Sequence, residues 1–135
     1  MGRIRIFRVL DEEDFCDIYP VVKAIFPSSQ IRFSDKDVYF YARVKKEVVG
    51  FSHVFDKGGG TYVLQGIGVL PKFRNRGIGG KLADKAIKFC EQKGALRILL
   101  RVRCTNPAVL LYLKKGFYLK KESFGSYTLE RRKPS

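Results

Sequence analysis

The chain has no tryptophan, a single histidine, His53, and only three cysteines, Cys16, Cys90 and Cys104, in 135 residues. Thiols spaced this widely, with one imidazole, match no metal-ligand pattern, so no metal site is expected. An odd, sparse set also excludes a disulfide scaffold and suits a reducing cytoplasm. Long apolar runs are missing as well. The longest, residues 108–113, is far too short to cross a bilayer, and Arg3 and Arg5 interrupt the N-terminal stretch that a secretion signal would need. The expectation is a soluble, cytoplasmic domain with no membrane partner. Acidic residues are scarce in one half only. Residues 1–70 hold 10 Lys and Arg against 9 Asp and Glu, whereas residues 71–135 hold 17 against 4, a net of +13 within the chain's +14. Such asymmetry speaks to partners rather than to fold. It fits an anionic ligand on the second half, and equally a solvated lysine-rich surface.

Apolar residues make up 45%, enough for one core. The reading is one domain over residues 1–130, followed by a basic tail at 131–135. Residues 4–8 alternate as a first strand. Asp11-Glu12-Glu13-Asp14 then favours a helix start, and Phe15, Ile18, Val22 and Ile25 recur at helical spacing, with Pro20 as a point where the helix kinks or splits. Residues 38–44 and 48–55 are β-branched and aromatic runs joined by a polar turn, which predicts a hairpin. Residues 61–70 add a third strand, whose Gly66 and Gly68 point to a bulge or a close backbone approach. A helix from Ile78, stopped by Gly94, a strand at 96–102, a short helix at 107–115 and strands at 117–122 and 127–131 complete the order β-α-β-β-β-α-β-α-β-β. That order implies a mixed sheet with helices on its faces.

The chemistry concentrates between Gly66 and Leu82. A strand ends at Pro71, an Arg- and Gly-rich turn follows, and a helix begins. The first turn of a helix has backbone N–H groups without partners, and its dipole favours negative charge. Glycines there let a ligand come close, while Arg74 and Arg76 add charge. The turn therefore looks suited to a phosphate or pyrophosphate. The common nucleotide motifs do not fit. Gly80-Lys81 is followed by Leu82 rather than Ser or Thr, and Pro71 and Leu82 stand where a G-x-G-x-x-G fingerprint needs its third glycine.

What fits is R-x-x-G-x-G, present as Arg74-Asn75-Arg76-Gly77-Ile78-Gly79 after the strand-ending Val69-Leu70-Pro71. Further on stands A-x-x-x-Y-x-x-x-G-F, from Ala108 through Tyr112 to Gly116-Phe117. Together these resemble motif A and the short downstream helix of the GNAT acyltransferase superfamily, over roughly residues 38–127. The resemblance implies an α/β fold: a mostly antiparallel mixed sheet of six to seven strands with about four helices and a V-shaped opening between the central strands. It implies acetyl-CoA, or another acyl-CoA, as co-substrate in that opening, and an amine acceptor. Backbone groups near Ile67 and Val69 would hold the pantetheine arm. Amides of Arg74, Asn75, Arg76, Gly77, Ile78, Gly79 and Gly80 would wrap the pyrophosphate, with Arg74, Arg76 and Lys81 adding charge. Asn106 and Tyr112 would lie near the thioester, with Tyr112 as the acid that protonates the leaving thiolate, and an amide near Val69 would polarise the carbonyl. A core tyrosine is the rival reading of Tyr112.

Two features depart from the family pattern. Asn106 stands six residues before Tyr112, where the family places its Asn seven before. The strand at 61–70 has no carboxylate to serve as base, and Arg101 occupies the position where ribosomal-protein N-terminal acetylases carry Glu. His53, Asp56, Tyr62, Glu122 and water remain as bases, although His53 shares a strand face with Phe51 and Phe55 and reads first as a packed histidine. Family acceptor contacts would come from residues 20–37 and 118–128. A chain of charge +14 repels polycationic acceptors, which leans towards a neutral or acidic amine. Two rival functions stay open: a non-catalytic acyl-CoA-binding protein, and a nucleic-acid- or ribosome-associated protein, although no nucleic-acid motif is present. Many relatives form homodimers, and the sequence leaves the oligomeric state open.

Overall fold

In the computed structural model, which describes residues 2–134, the ten expected segments form in the expected order. They are β1 (Ile4–Arg8), α1 (Glu12–Ile25), β2 (Asp37–Val44), β3 (Glu47–Gly58), β4 (Thr61–Val69), α2 (Ile78–Gln92), β5 (Arg97–Arg103), α3 (Ala108–Lys114), β6 (Tyr118–Ser123) and β7 (Ser126–Arg132). The seven strands make one sheet in the order β1-β2-β3-β4-β5-β7-β6. Every neighbouring pair is antiparallel except β4 and β5.

Strand alternation sorts the core onto the two sheet faces. Val38, Phe40, Ala42 and Val44 meet Ile78, Leu82, Ala86 and Cys90 of α2, whereas Tyr39, Tyr41 and Phe51 meet Ile18 and Val22 of α1. Leu82 is fully enclosed, which contributes about 2 kcal/mol. On the α1 side, the Asp11 carboxylate caps the helix by accepting from the Asp14 N–H at 2.9 Å. The helix runs through Pro20 without splitting. Pro20 and the residue four before it, Cys16, are both exposed, so the carbonyl that loses its helical partner can bond to water.

Two expectations need correction. Among the described residues there are three α-helices rather than about four, plus a single 3-10 turn at Pro71–Phe73. Residues 26–36 form an irregular loop, where Pro27, Ser28 and Ser29 favour turns. The basic tail begins later than residue 131, because Arg131 pairs with Ile98 and Arg132 with Arg97 in the sheet. The bulge in β4 falls at Gln65, between the Val54–Leu64 and His53–Gly66 pairs. The close approach occurs at Gly68, where a Cβ would lie 2.6 Å from Ile25 Cγ2 at the end of α1.

Candidate functional site

The site begins where two parallel strands part. β4 and β5 pair only at Thr61–Arg97, Tyr62–Ile98 and Val63–Leu99, and the rest of β4 keeps β3 alone as its partner. This divergence is the V-shaped opening. The edge of β4 that has left β5 presents backbone groups with no strand partner on that side. A cleft of about 650 Å³ occupies the opening. It is lined by Ile67, Gly68 and Val69 of β4, by the turn residues Arg74, Asn75 and Gly77, by Ile78, Gly79 and Gly80 of α2, and by Asn106 and Tyr112.

The turn is shaped by two left-handed residues, Asn75 at φ 62° and Gly77 at φ 81°. Gly77 is the N-cap of α2, and no side chain caps the helix. Gly79 and Gly80 are unusual at a helix start, because nothing in the protein needs them to be small. A Cβ at Gly79 would come no nearer than 3.9 Å to Val69, and one at Gly80 would lie 3.8 Å from Leu111 and 4.0 Å from Lys115 Nζ. Glycine inside a helix costs about 1 kcal/mol against Ala. The protein's own packing does not explain that cost, whereas a guest against the helix start would.

Arg74 turns back, its Nε donating to the Val69 carbonyl at 2.9 Å, which ties the turn to the end of β4. Arg76 and Lys81 are not brought into the cleft. Arg76 lies over the Phe73 ring at 5.6 Å and lines a separate cavity, and Lys81 is exposed, opposite the buried face of α2. Lys115 is the cation the sequence reading passed over. It sits beside Gly80 and is paired with Asp84 at 2.6 Å. The Asn106 side chain accepts from the Ala108 N–H at 2.9 Å and so holds the start of α3 as well as lining the cleft.

Tyr112 is buried, and burial pushes its phenol above the ordinary value. Among the described residues its hydroxyl has no hydrogen-bond partner, yet no buried side-chain oxygen or nitrogen is left unpaired. The hydroxyl therefore opens into the cleft. Tyr112 is thus both a core residue, packed on Phe117, and a cleft residue.

A second cavity of about 420 Å³ lies on the α1 side of β4, lined by Arg32, Tyr39, His53, Gln65 and Gly66 among others. Phe26 borders both cavities. Of the candidate bases, His53 alone lines it. Asp56 caps its own turn by accepting from the Gly58 N–H, Tyr62 is in the core against Phe89, and Glu122, on the edge strand β6, accepts from Cys104. Among the described residues no group of three or more His, Cys, Asp or Glu is arranged to hold a metal ion. No described helix is long and apolar enough to cross a membrane.

The model of the acetyltransferase (GNAT) family matches residues 6–117, most of the chain. The chain belongs to the GNAT acetyltransferase family. Solved GNAT structures share its fold at low identity. A Bacillus subtilis acetyltransferase in complex with CoA superposes with a TM-score of 0.81 at 18% identity, covering 98% of this chain and 100% of that one. A GNAT acetyltransferase from Elizabethkingia anophelis with acetyl-CoA bound gives 0.77 at 18% identity, covering 96% and 98%. The ribosomal-protein-S18-alanine N-acetyltransferase of Escherichia coli gives 0.81, also at 18%, covering 96% and 94%. No curated protein matches the chain. The cleft of this GNAT domain fits a CoA thioester on its own geometry: an uncapped helix start beside two glycines whose missing side chains leave room, and a free strand edge along one wall.

Proposed function

We propose that the protein is an acetyl-CoA-dependent N-acetyltransferase acting on a primary amine. The observation that carries this reading is the open start of α2, with Gly79 and Gly80 small for no reason internal to the protein. Bound in the cleft, acetyl-CoA supplies an acyl group on a thioester that an amine can attack. The N–H groups from Gly77 to Gly80 receive the pyrophosphate, favoured by the helix dipole and by Lys115 nearby. The free edge of β4 at Ile67 and Val69 receives the pantetheine amides, as a neighbouring strand would. Tyr112 holds a proton facing the cleft, and its raised pKa keeps the phenol protonated at neutral pH, as an acid for a leaving thiolate requires. The three cysteines are all unpaired, which agrees with a cytoplasmic setting.

Thiol release from acetyl-CoA in the presence of small primary amines tests the reading. Tyr112→Phe keeps the ring and removes the proton. Turnover is expected to fall by roughly 10²-fold or more, with CoA affinity unchanged. Unchanged turnover would remove Tyr112 from the chemistry. An acyl-CoA-binding protein without turnover would bind acetyl-CoA and release no thiol with any amine.

A further inference from the structure

The second cavity holds the only imidazole of the chain, and that ring is fixed more tightly than packing alone requires. His53 Nε2 lies 2.7 Å from Asp37 Oδ1. Asp37 is itself held, accepting from Ser34 Oγ at 2.6 Å and lying 3.7 Å from the Arg32 guanidinium. The Tyr39 ring stacks on the imidazole at 4.1 Å, and its hydroxyl donates to the Arg32 carbonyl at 2.6 Å. A carboxylate only accepts, so Nε2 carries the hydrogen and Nδ1 keeps its lone pair. Among the described residues none bonds Nδ1, and no buried side-chain nitrogen is left unpaired, so Nδ1 opens into the cavity. The backbone of His53 stands opposite Gly66 of β4, next to the Ile67 and Gly68 that line the coenzyme cleft.

We infer that His53, oriented by Asp37, is the base that takes the proton of an amine acceptor entering through this cavity; the inference rests on the acetyltransferase reading above. An amine arrives as an ammonium ion. Its first proton passes to Nδ1 and on to solvent, which frees the nitrogen lone pair. The C–N bond then forms at the thioester carbonyl carbon and the C–S bond breaks. The nitrogen sheds a second proton, which replaces the one that the departing thiolate takes from Tyr112, so one proton is released overall. Asp37 is a positioning residue that fixes the tautomer.

The titratable and charged groups facing His53 are Asp37 and Tyr39 of β2 and Arg32 of the loop before it. α1 brings Val22, the loop after it Phe26, and β4 brings Gln65 and Gly66, none of which titrates. Burial pushes the imidazole below its ordinary 6.5, against the bond and charge of Asp37, which pull it up. The ring is therefore neutral and able to accept at neutral pH.

The test compares two small amines on the full-length protein: ethylamine, an ammonium ion at neutral pH, and hydroxylamine, already unprotonated there. His53→Gln keeps an N–H towards Asp37. It should slow acetylation of ethylamine by about 10²-fold or more, and that of hydroxylamine by less than about tenfold. Equal losses on both amines, or no loss on ethylamine, overturn the inference and leave the transferase reading standing. A wild-type protein that acetylates neither amine removes that reading, and the inference with it. A second readout needs no turnover. The single imidazole gives one proton NMR titration, expected below 6.5 in the wild type and lower still in Asp37→Asn. A midpoint unmoved by Asp37→Asn would overturn the positioning role.

Discussion

Two carboxylates have side chains only 1% exposed, Asp37 at the start of β2 and Glu130 in β7. Their surroundings differ in kind. Glu130 accepts from Tyr118 at 2.6 Å and from Lys120 at 3.1 Å, is bonded by Arg132, and has Arg97 at 3.9 Å. The bonds from Tyr118 and Arg132 hold its carboxyl at about 2, against burial. All its partners remain donors at neutral pH, so the group acts as a brace between β5, β6 and β7. Asp37 also has fixed donors in Ser34 and Arg32, but its third partner is an imidazole with a second nitrogen facing a cavity. A buried acid surrounded by permanent donors locks strands together. One that shares an imidazole with a cavity can orient a proton acceptor.

Removing each acid or its partner sharpens the contrast. The largest stability effect is expected for Glu130→Ala. It deletes several charge-assisted bonds, and the half-exposed cations left behind rehydrate, so the loss is about 2 kcal/mol, read by thermal unfolding. Acetyl transfer per folded molecule should not change. A smaller effect is the pH window of the Glu130 region. Its folded pKa is lowered from 4.5 to about 2, so its contribution is fully present above 4.5 and is lost as pH falls through 2. Glu130→Gln should flatten the acid limb of the melting-temperature profile in that range. The smallest effect belongs to His53. Its folded pKa is lowered, so below 6.5 the unfolded chain takes up the proton first and stability erodes as pH drops. His53→Gln should remove that slope just below 6.5 and leave the Glu130 limb unchanged. If both slopes vanish together in either variant, the two regions are coupled and the contrast fails.

The fold was legible because its signals are local. The β-branched and aromatic runs at 38–44 and 48–55 report strands with apolar residues on both faces, and the helical spacing of Ile78, Leu82 and Ala86 reports one buried helix face. The R-x-x-G-x-G turn was legible for the same reason, since its backbone amides follow from position in the chain. Side-chain direction was less so. Arg76 lies within the motif and Lys81 two residues past it, yet both point away, because the left-handed Gly77 and the phase of α2 decide their bearing. Lys115, just past the end of α3, comes beside Gly80 from a different part of the chain, which no local pattern reveals. Asp37 went unseen although its signal was present. Running the hairpin alternation one residue ahead of Val38 puts Asp37 on the face of Tyr39, diagonal to His53.

The central claim is that Gly79 is small to admit a coenzyme rather than to suit the protein. Titration of acetyl-CoA into wild-type and Gly79→Leu protein, read by thermal unfolding, tests it most directly. Leu is the better helix former by about 0.8 kcal/mol, and a Cβ at this position meets nothing closer than 3.9 Å, so the unliganded variant should melt no lower than wild type. Acetyl-CoA at a hundredfold excess over its dissociation constant should stabilise the wild type by about 2.7 kcal/mol and the variant hardly at all. Equal stabilisation of both proteins would contradict the account.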